Sequence, residues 1–182
     1  MNFIEQILEQ LNNRPDQAMV TEMFGDTPKE WTSSALADLI QRGQQTLQST
    51  GIQAGDREVL IAPNSHRWVA ADLAILSAGA IVVPMYARQD GAELVEMMHD
   101  CTPSLVVVSN TVLAEKVKEH WKDAPVMTLQ NLFDSEPSLA GPVPRDENSG
   151  SQPQGEVGGP PGFDDLSPEE QEQARIMAAE LA

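Results

Sequence analysis

Few side chains in this sequence have both the type and the spacing to do chemistry. The densest group is Pro63-Asn64-Ser65-His66, directly after the apolar run Val59 to Ala62. Such a run reads as a buried parallel strand, and the polar residues after it then open a helix through Trp68 and Leu76. Backbone N–H groups at a helix start are unpaired and carry the positive end of the helix dipole, so they can receive an anion or a carbonyl oxygen. Asn64, Ser65 and His66 are therefore candidate binding residues. Bland roles suit them too: Asn64 or Ser65 as a helix cap, His66 as a surface residue, and Trp68, near Ala71 and Asp72, as core packing. Met85-Tyr86 ends the next apolar run ahead of the loop Arg88-Gln89-Asp90-Gly91. Tyr86 sits at the corresponding strand end, where ligands gather in doubly wound sheets, and joins the candidates, although it and Pro84 can equally be structural.

No catalytic residue and no metal ligand is assigned. His99 and His120 have no Asp, Glu or Cys at ligand spacing beyond ordinary surface neighbours. Cys101, the single cysteine, ends a helical pattern that is apolar at Leu94, Val95 and Met98, which predicts a small buried hydrophobe rather than a reactive thiol. One cysteine also rules out an internal disulfide, which suits a reducing cytoplasm. Glu93 with Glu96, and the Glu115, Lys116, Lys118, Glu119 cluster, read as solvated helix faces.

These residues need a scaffold, and the apolar spacing supplies one. Phe3, Ile4, Ile7, Leu8 and Leu11 form one face of a first helix that Pro15 closes. Ala18 to Phe24 and Glu30 to Thr32 read as a hairpin across Gly25-Asp26-Thr27-Pro28. Ser33 or Ser34 caps a helix carrying Leu36, Leu39, Ile40, Gly43 and Leu47 on one side until Gly51. From Asp56 on, the runs Val59 to Ala62, Ile81 to Val83 and Leu105 to Val108 do not alternate, and helical stretches separate them. That pattern predicts parallel strands covered on both faces. Leu113 to Trp121 as helix and Val126 to Leu129 as strand continue it. The fold class is α/β, with an incomplete, mostly parallel doubly wound sheet behind an N-terminal helix and hairpin.

Composition changes after Phe133. Twelve of the 26 residues from Pro137 to Gly162 are Gly or Pro, which leaves nothing to build a core. Ser167-Pro168-Glu169-Glu170 then supplies a cap, a first-turn proline and a capping-box acid for a short helix. The expected organisation is an α/β unit over 1–135, a disordered acidic Gly/Pro-rich linker over 136–166 and a helix over 167–182.

The formal net charge is -17, from 28 acids against 11 Lys and Arg. That charge repels phosphate backbones and anionic lipid, so nucleic acid is excluded as a partner. The longest apolar stretch, Val69 to Met85, contains Asp72 and Pro84 and is shorter than the ~20 residues of a membrane helix, so no integral membrane segment is expected. The N-terminus lacks the basic start and apolar core of a signal peptide, and the expected location is cytoplasmic.

The order of these pieces resembles the opening of the AMP-forming acyl-CoA synthetases, long-chain fatty acid type, over about residues 1–135. The resemblance is carried by Glu30-Trp31-Thr32 before a helix, Gly55-Asp56-Arg57 before a strand, Asn64-Ser65 with Trp68, and Ala78-Gly79-Ala80 leading to Pro84 and Tyr86. It implies a family reaction in which ATP and a carboxylic acid give an acyl-adenylate and then an acyl-CoA, with ATP, Mg and coenzyme A required by full-length members. The family's Ser/Thr/Gly phosphate loop ends in Pro-Lys-Gly. Here Asn148 to Gly155 offers only an echo of it, with Gln154 where Lys belongs and no Lys after Lys122. The expectation is an N-terminal fragment of such a protein, inactive alone and with no cofactor of its own. The alternative is a non-catalytic interaction module that completes its sheet with a protein partner or self-associates through open strand edges.

Overall fold

The computed structural model describes residues 2–134. The linker and terminal helix expected over 136–166 and 167–182 lie outside the described residues.

Helix α1, Phe3–Asn13, opens on a capping box in which Asn2 and Glu5 satisfy each other's backbone N–H groups. Ile4, Ile7, Leu8 and Leu11 pack inward as their spacing predicts, whereas Phe3 is 71% exposed, the first residue having no turn before it to close over its ring. Strands β1 (Ala18–Phe24) and β2 (Thr27–Thr32) form an antiparallel hairpin that is its own two-stranded sheet. Its turn is tighter than expected. Gly25, at φ 60°, lets Gly25-Asp26 reverse the chain, so Thr27 pairs with Phe24 and Pro28 with Met23 inside the ladder.

Helix α2 runs Ser33–Ser49 and is capped by Thr32, whose hydroxyl accepts the Ala35 N–H, so neither Ser33 nor Ser34 is the cap. Ser33 is instead buried, with its N–H donating to the Gln17 carbonyl. Then come β3 (Arg57–Ile61), α3 (His66–Ser77), β4 (Ile81–Met85), α4 (Gly91–Cys101), β5 (Leu105–Val108), α5 (Thr111–His120) and β6 (Val126–Thr128). The last helix among the described residues, α6 (Leu129–Asp134), was not expected; it starts where the strand was predicted to end and buries Leu129, Leu132 and Phe133.

The sheet is parallel, in the order β4-β3-β5-β6. The chain steps from β3 to β4 in one direction, then back across β3 to β5 and on to β6. A constant crossover hand requires the helices of those two directions to lie on opposite faces, and they do. Leu60, Leu105 and Val107 face a cluster built by α1, α2, α3 and α6, while Val59, Ile61, Val106 and Val108 face α4 and α5. Coverage on both faces holds for β3 and β5. It is partial for β4, an edge strand of this sheet, where Val82 packs into the first cluster and Val83 and Met85 into the second but Ile81 is 49% exposed. Helices α2 and α3 approach closely at Gly43, where a Cβ would sit 2.9 Å from that of Ala74.

Candidate functional site

Ser65 is the cap of α3: its Oγ accepts the Trp68 N–H at 3.1 Å, the plain role that its sequence position allows. The next free donor, the His66 N–H, is taken from inside the molecule. Val20 and Glu22 alternate onto the inner face of β1, and Glu22 Oε1 accepts both the His66 backbone N–H and, at 2.7 Å, a hydrogen bond with His66 Nδ1. A carboxylate at a helix start is well placed against the dipole. The first donor of a helix start that could receive an anion or a carbonyl oxygen is thus taken by the chain's own acid.

His66 is not a surface residue. Its side chain is 13% exposed and that of Glu22 14%. Trp31, opposite Val20 in the hairpin register, stacks on the imidazole with ring centres 3.5 Å apart and planes within 12°. Burial pulls the His66 pKa below its ordinary value, Glu22 works against that pull, and Arg67 and Lys29 add to it. In the neutral imidazole, Nδ1–H donates to Glu22 and Nε2 is the bare nitrogen. This pair orients a ring. Among the described residues no hydroxyl or thiol is hydrogen-bonded to Nε2, so no activated nucleophile accompanies it.

Beside the stack lies a cavity of about 390 Å³ between the hairpin, α2, the start of α3 and the end of α6. Its cations are already engaged. Arg42 pairs with Asp38 at 2.6 Å, Arg67 lies 4.0 Å from Asp134, and Lys29 Nζ sits 4.8 Å from the centre of the Trp31 ring. The Trp31 Nε1 is buried without a partner.

The loops after β3, β4 and β5 share one end of the sheet. The first turns to one face and the other two to the opposite face, the arrangement that opens a crevice in doubly wound folds. Asn64 is exposed there and Tyr86 is 63% exposed, so the candidates Asn64, Ser65, His66 and Tyr86 do reach a common end, with Ser65 and His66 turned to internal partners. The β4–α4 loop is pinned. Lys116 Nζ donates to the Gln89 carbonyl at 2.6 Å, so Lys116 is not on a purely solvated face, and a Cβ at Gly91 would meet the His120 ring at 2.9 Å. Asp90 caps α4 by accepting the Ala92 N–H.

Cys101 is only partly covered rather than buried; its thiol donates to the Met98 carbonyl, and desolvation pushes its pKa up, away from thiolate chemistry. Among the described residues no group of three or more His, Cys, Asp or Glu could hold a metal ion. The start of α3 does not fit a polyphosphate either, because the Glu22 carboxylate occupies its first donor and would repel one.

Sequence reasoning missed Glu22, Trp31 and Glu58. The two-residue alternation Val20, Glu22 was the available signal for the first. For Glu58, an acid directly abutting a non-alternating apolar run was the signal. It is wholly buried on β3 with neither oxygen hydrogen-bonded, and its pKa is pushed up to about 7 by burial and then by Asp56.

Against known proteins, residues 7–178 match the family model described as AMP-binding enzyme, a match that runs past residue 135, where the resemblance read from the residues stops. Long-chain-fatty-acid–CoA ligase FadD15 of Mycobacterium bovis is 28% identical over 110 residues, covering 60% of this chain and 18% of that protein. The chloroplastic long-chain-fatty-acid–[acyl-carrier-protein] ligase AEE15 of Arabidopsis thaliana is 26% identical over 104 residues, or 57% of this chain and 14% of that one. Among solved structures, VinN aligns with a TM-score of 0.65 at 22% identity over 73% of this chain and 34% of its own. The fatty acyl-adenylate ligase of L. pneumophila aligns at 0.63 and 20%, over 71% and 23%. Identities this low establish the shared fold. The chain spans less than a fifth of the length of these two curated relatives.

Proposed function

This chain belongs to the AMP-binding enzyme family, and we propose that it acts there as a scaffold piece, built on the α/β unit of the described residues, and not as a catalyst. The reaction they would belong to is ATP-dependent activation of a carboxylic, fatty acid to an acyl-adenylate and then an acyl-CoA. That substrate class is supported by the curated relatives, whose names specify long-chain fatty acids. The observation that carries the scaffold reading is the start of α3, where Glu22 takes the His66 N–H, Ser65 takes the Trp68 N–H, and the Glu22 carboxylate sets a negative charge where a phosphate would approach. The sequence agrees, with no lysine after Lys122 to meet a triphosphate. A cytoplasmic location suits the single cysteine, and among the described residues no helix is long and apolar enough to cross a membrane.

Nucleotide titration tests this reading. Trp31, Trp68 and Trp121 report on the unit by fluorescence. Adding ATP with Mg, or AMP, to the purified chain is expected to give no saturable change, and a saturable one reversed by dilution would overturn the reading.

A second reading is favoured by one observation: Met19 (46% exposed) and Met23 (63%) lie on the outer side of a hairpin whose sheet has two strands among the described residues. Such a surface suits a protein partner or a second copy of the chain.

A further inference from the structure

Glu58 sits at the centre of the sheet, on β3 between β4 and β5, wholly excluded from solvent. Its direction follows from strand alternation: Leu60, two residues on, packs into the cluster under α1, α2, α3 and α6, so Glu58 points to the same apolar side. Its register partners are Val82 and Leu105, and neither β4 nor β5 carries a charge. The charged groups on the helices packed against this side are Glu5 and Glu9 on α1, Asp38 and Arg42 on α2, His66, Arg67 and Asp72 on α3, and Asp134 on α6. None of them hydrogen-bonds to Glu58. Arg42 is committed to Asp38, Arg67 to Asp134 and His66 to Glu22. Arg57 follows the alternation to the opposite side, where it acts on Cys101. Asp56, in the turn before β3, does act on Glu58, and it is a like charge.

A carboxylate in such a place has lost its water and gained no donor, which makes the ionised form strongly unfavourable. We propose that the folded chain carries Glu58 as the neutral carboxylic acid and that ionisation of this one group loosens the centre of the parallel sheet, so that the fold is built around a bound proton. The proton balance is simple: folding takes one up from solvent wherever the unfolded chain is ionised at this position, and opening returns it.

The direction of the pH effect follows. The folded value is about 7 and the ordinary one 4.5, so the stabilisation is complete below 4.5 and is lost as pH rises towards 7. The separation corresponds to roughly two to three orders of magnitude in the folding constant. Asp72, also raised by burial, acts in the same direction, while His66, held low, acts in the opposite one. Only substitution at position 58 isolates its share.

Urea unfolding of the full 182-residue chain across about pH 5 to pH 8, beside Glu58→Gln and Glu58→Leu, provides the test. The wild-type midpoint should fall steeply over that range, and the variants should lose most of the slope. Infrared spectra of the folded wild-type chain, which need no variant to fold, should contain a protonated-carboxyl band that disappears on titration through neutrality. Parallel pH dependence in all three proteins, or no such band in the folded chain at about pH 6, would overturn the proposal.

Discussion

At His66 the backbone N–H and the ring Nδ1 converge on one oxygen of Glu22, and Trp31 closes the ring's face. The arrangement ties the hairpin to the start of α3 through three side chains. Glu22→Ala removes the acceptor of a helix-start donor and should cost about 1–2 kcal/mol of stability, read from urea midpoints. Glu22→Gln keeps the shape and removes the charge. Because Glu22 raises the His66 pKa against the pull of burial, its neutralisation should lower that pKa further, seen as a His66 ring-proton titration moving to lower pH. An unchanged or upward shift would contradict the assignment. His66 stabilises the fold as the neutral ring, so its contribution is present above 6.5 and is lost as pH falls through the lower folded value. Ser65 was legible as a cap because its role is local. Glu22 and Trp31 were not, since their meeting with His66 depends on how a hairpin 44 residues earlier in the chain docks, which no local pattern specifies.

Helices and strands were read from the chain wherever periodicity was uninterrupted. Strand β5 has the expected bounds, and α3 runs through Trp68 and Leu76 as predicted. The misplaced boundaries have local causes. A single left-handed glycine lets the hairpin turn in two residues where four were expected. Val126 to Leu129 was too short a run to reveal that its last residue starts α6. Gly43 was legible as lying on the inward face of α2, but its reason is tertiary: a Cβ there would meet Ala74 at 2.9 Å and the Phe133 ring at 3.2 Å. Gly43→Ala should therefore destabilise the unit by about 1–3 kcal/mol despite the better helix propensity of alanine. A gain in thermal midpoint would show that α2 and α3 can separate at no cost.

The molecule's α/β class and its parallel sheet followed from non-alternating apolar runs, because strands buried on both faces carry little else. What patterns could not convey is which edges stay open. Met19 and Met23 on the hairpin's outer side, with the edge residue Ile81, leave apolar surface exposed among the described residues. Sedimentation of the purified chain should show concentration-dependent self-association that Met19→Lys with Met23→Lys weakens; a monomer at every concentration would contradict the interaction reading. The scaffold role remains the central claim, and carboxylate-dependent exchange of pyrophosphate into ATP by the purified 182-residue chain tests it most directly. The predicted result is exchange no greater than the no-enzyme control with any fatty acid. Exchange that depends on a fatty acid and is retained through purification would contradict it.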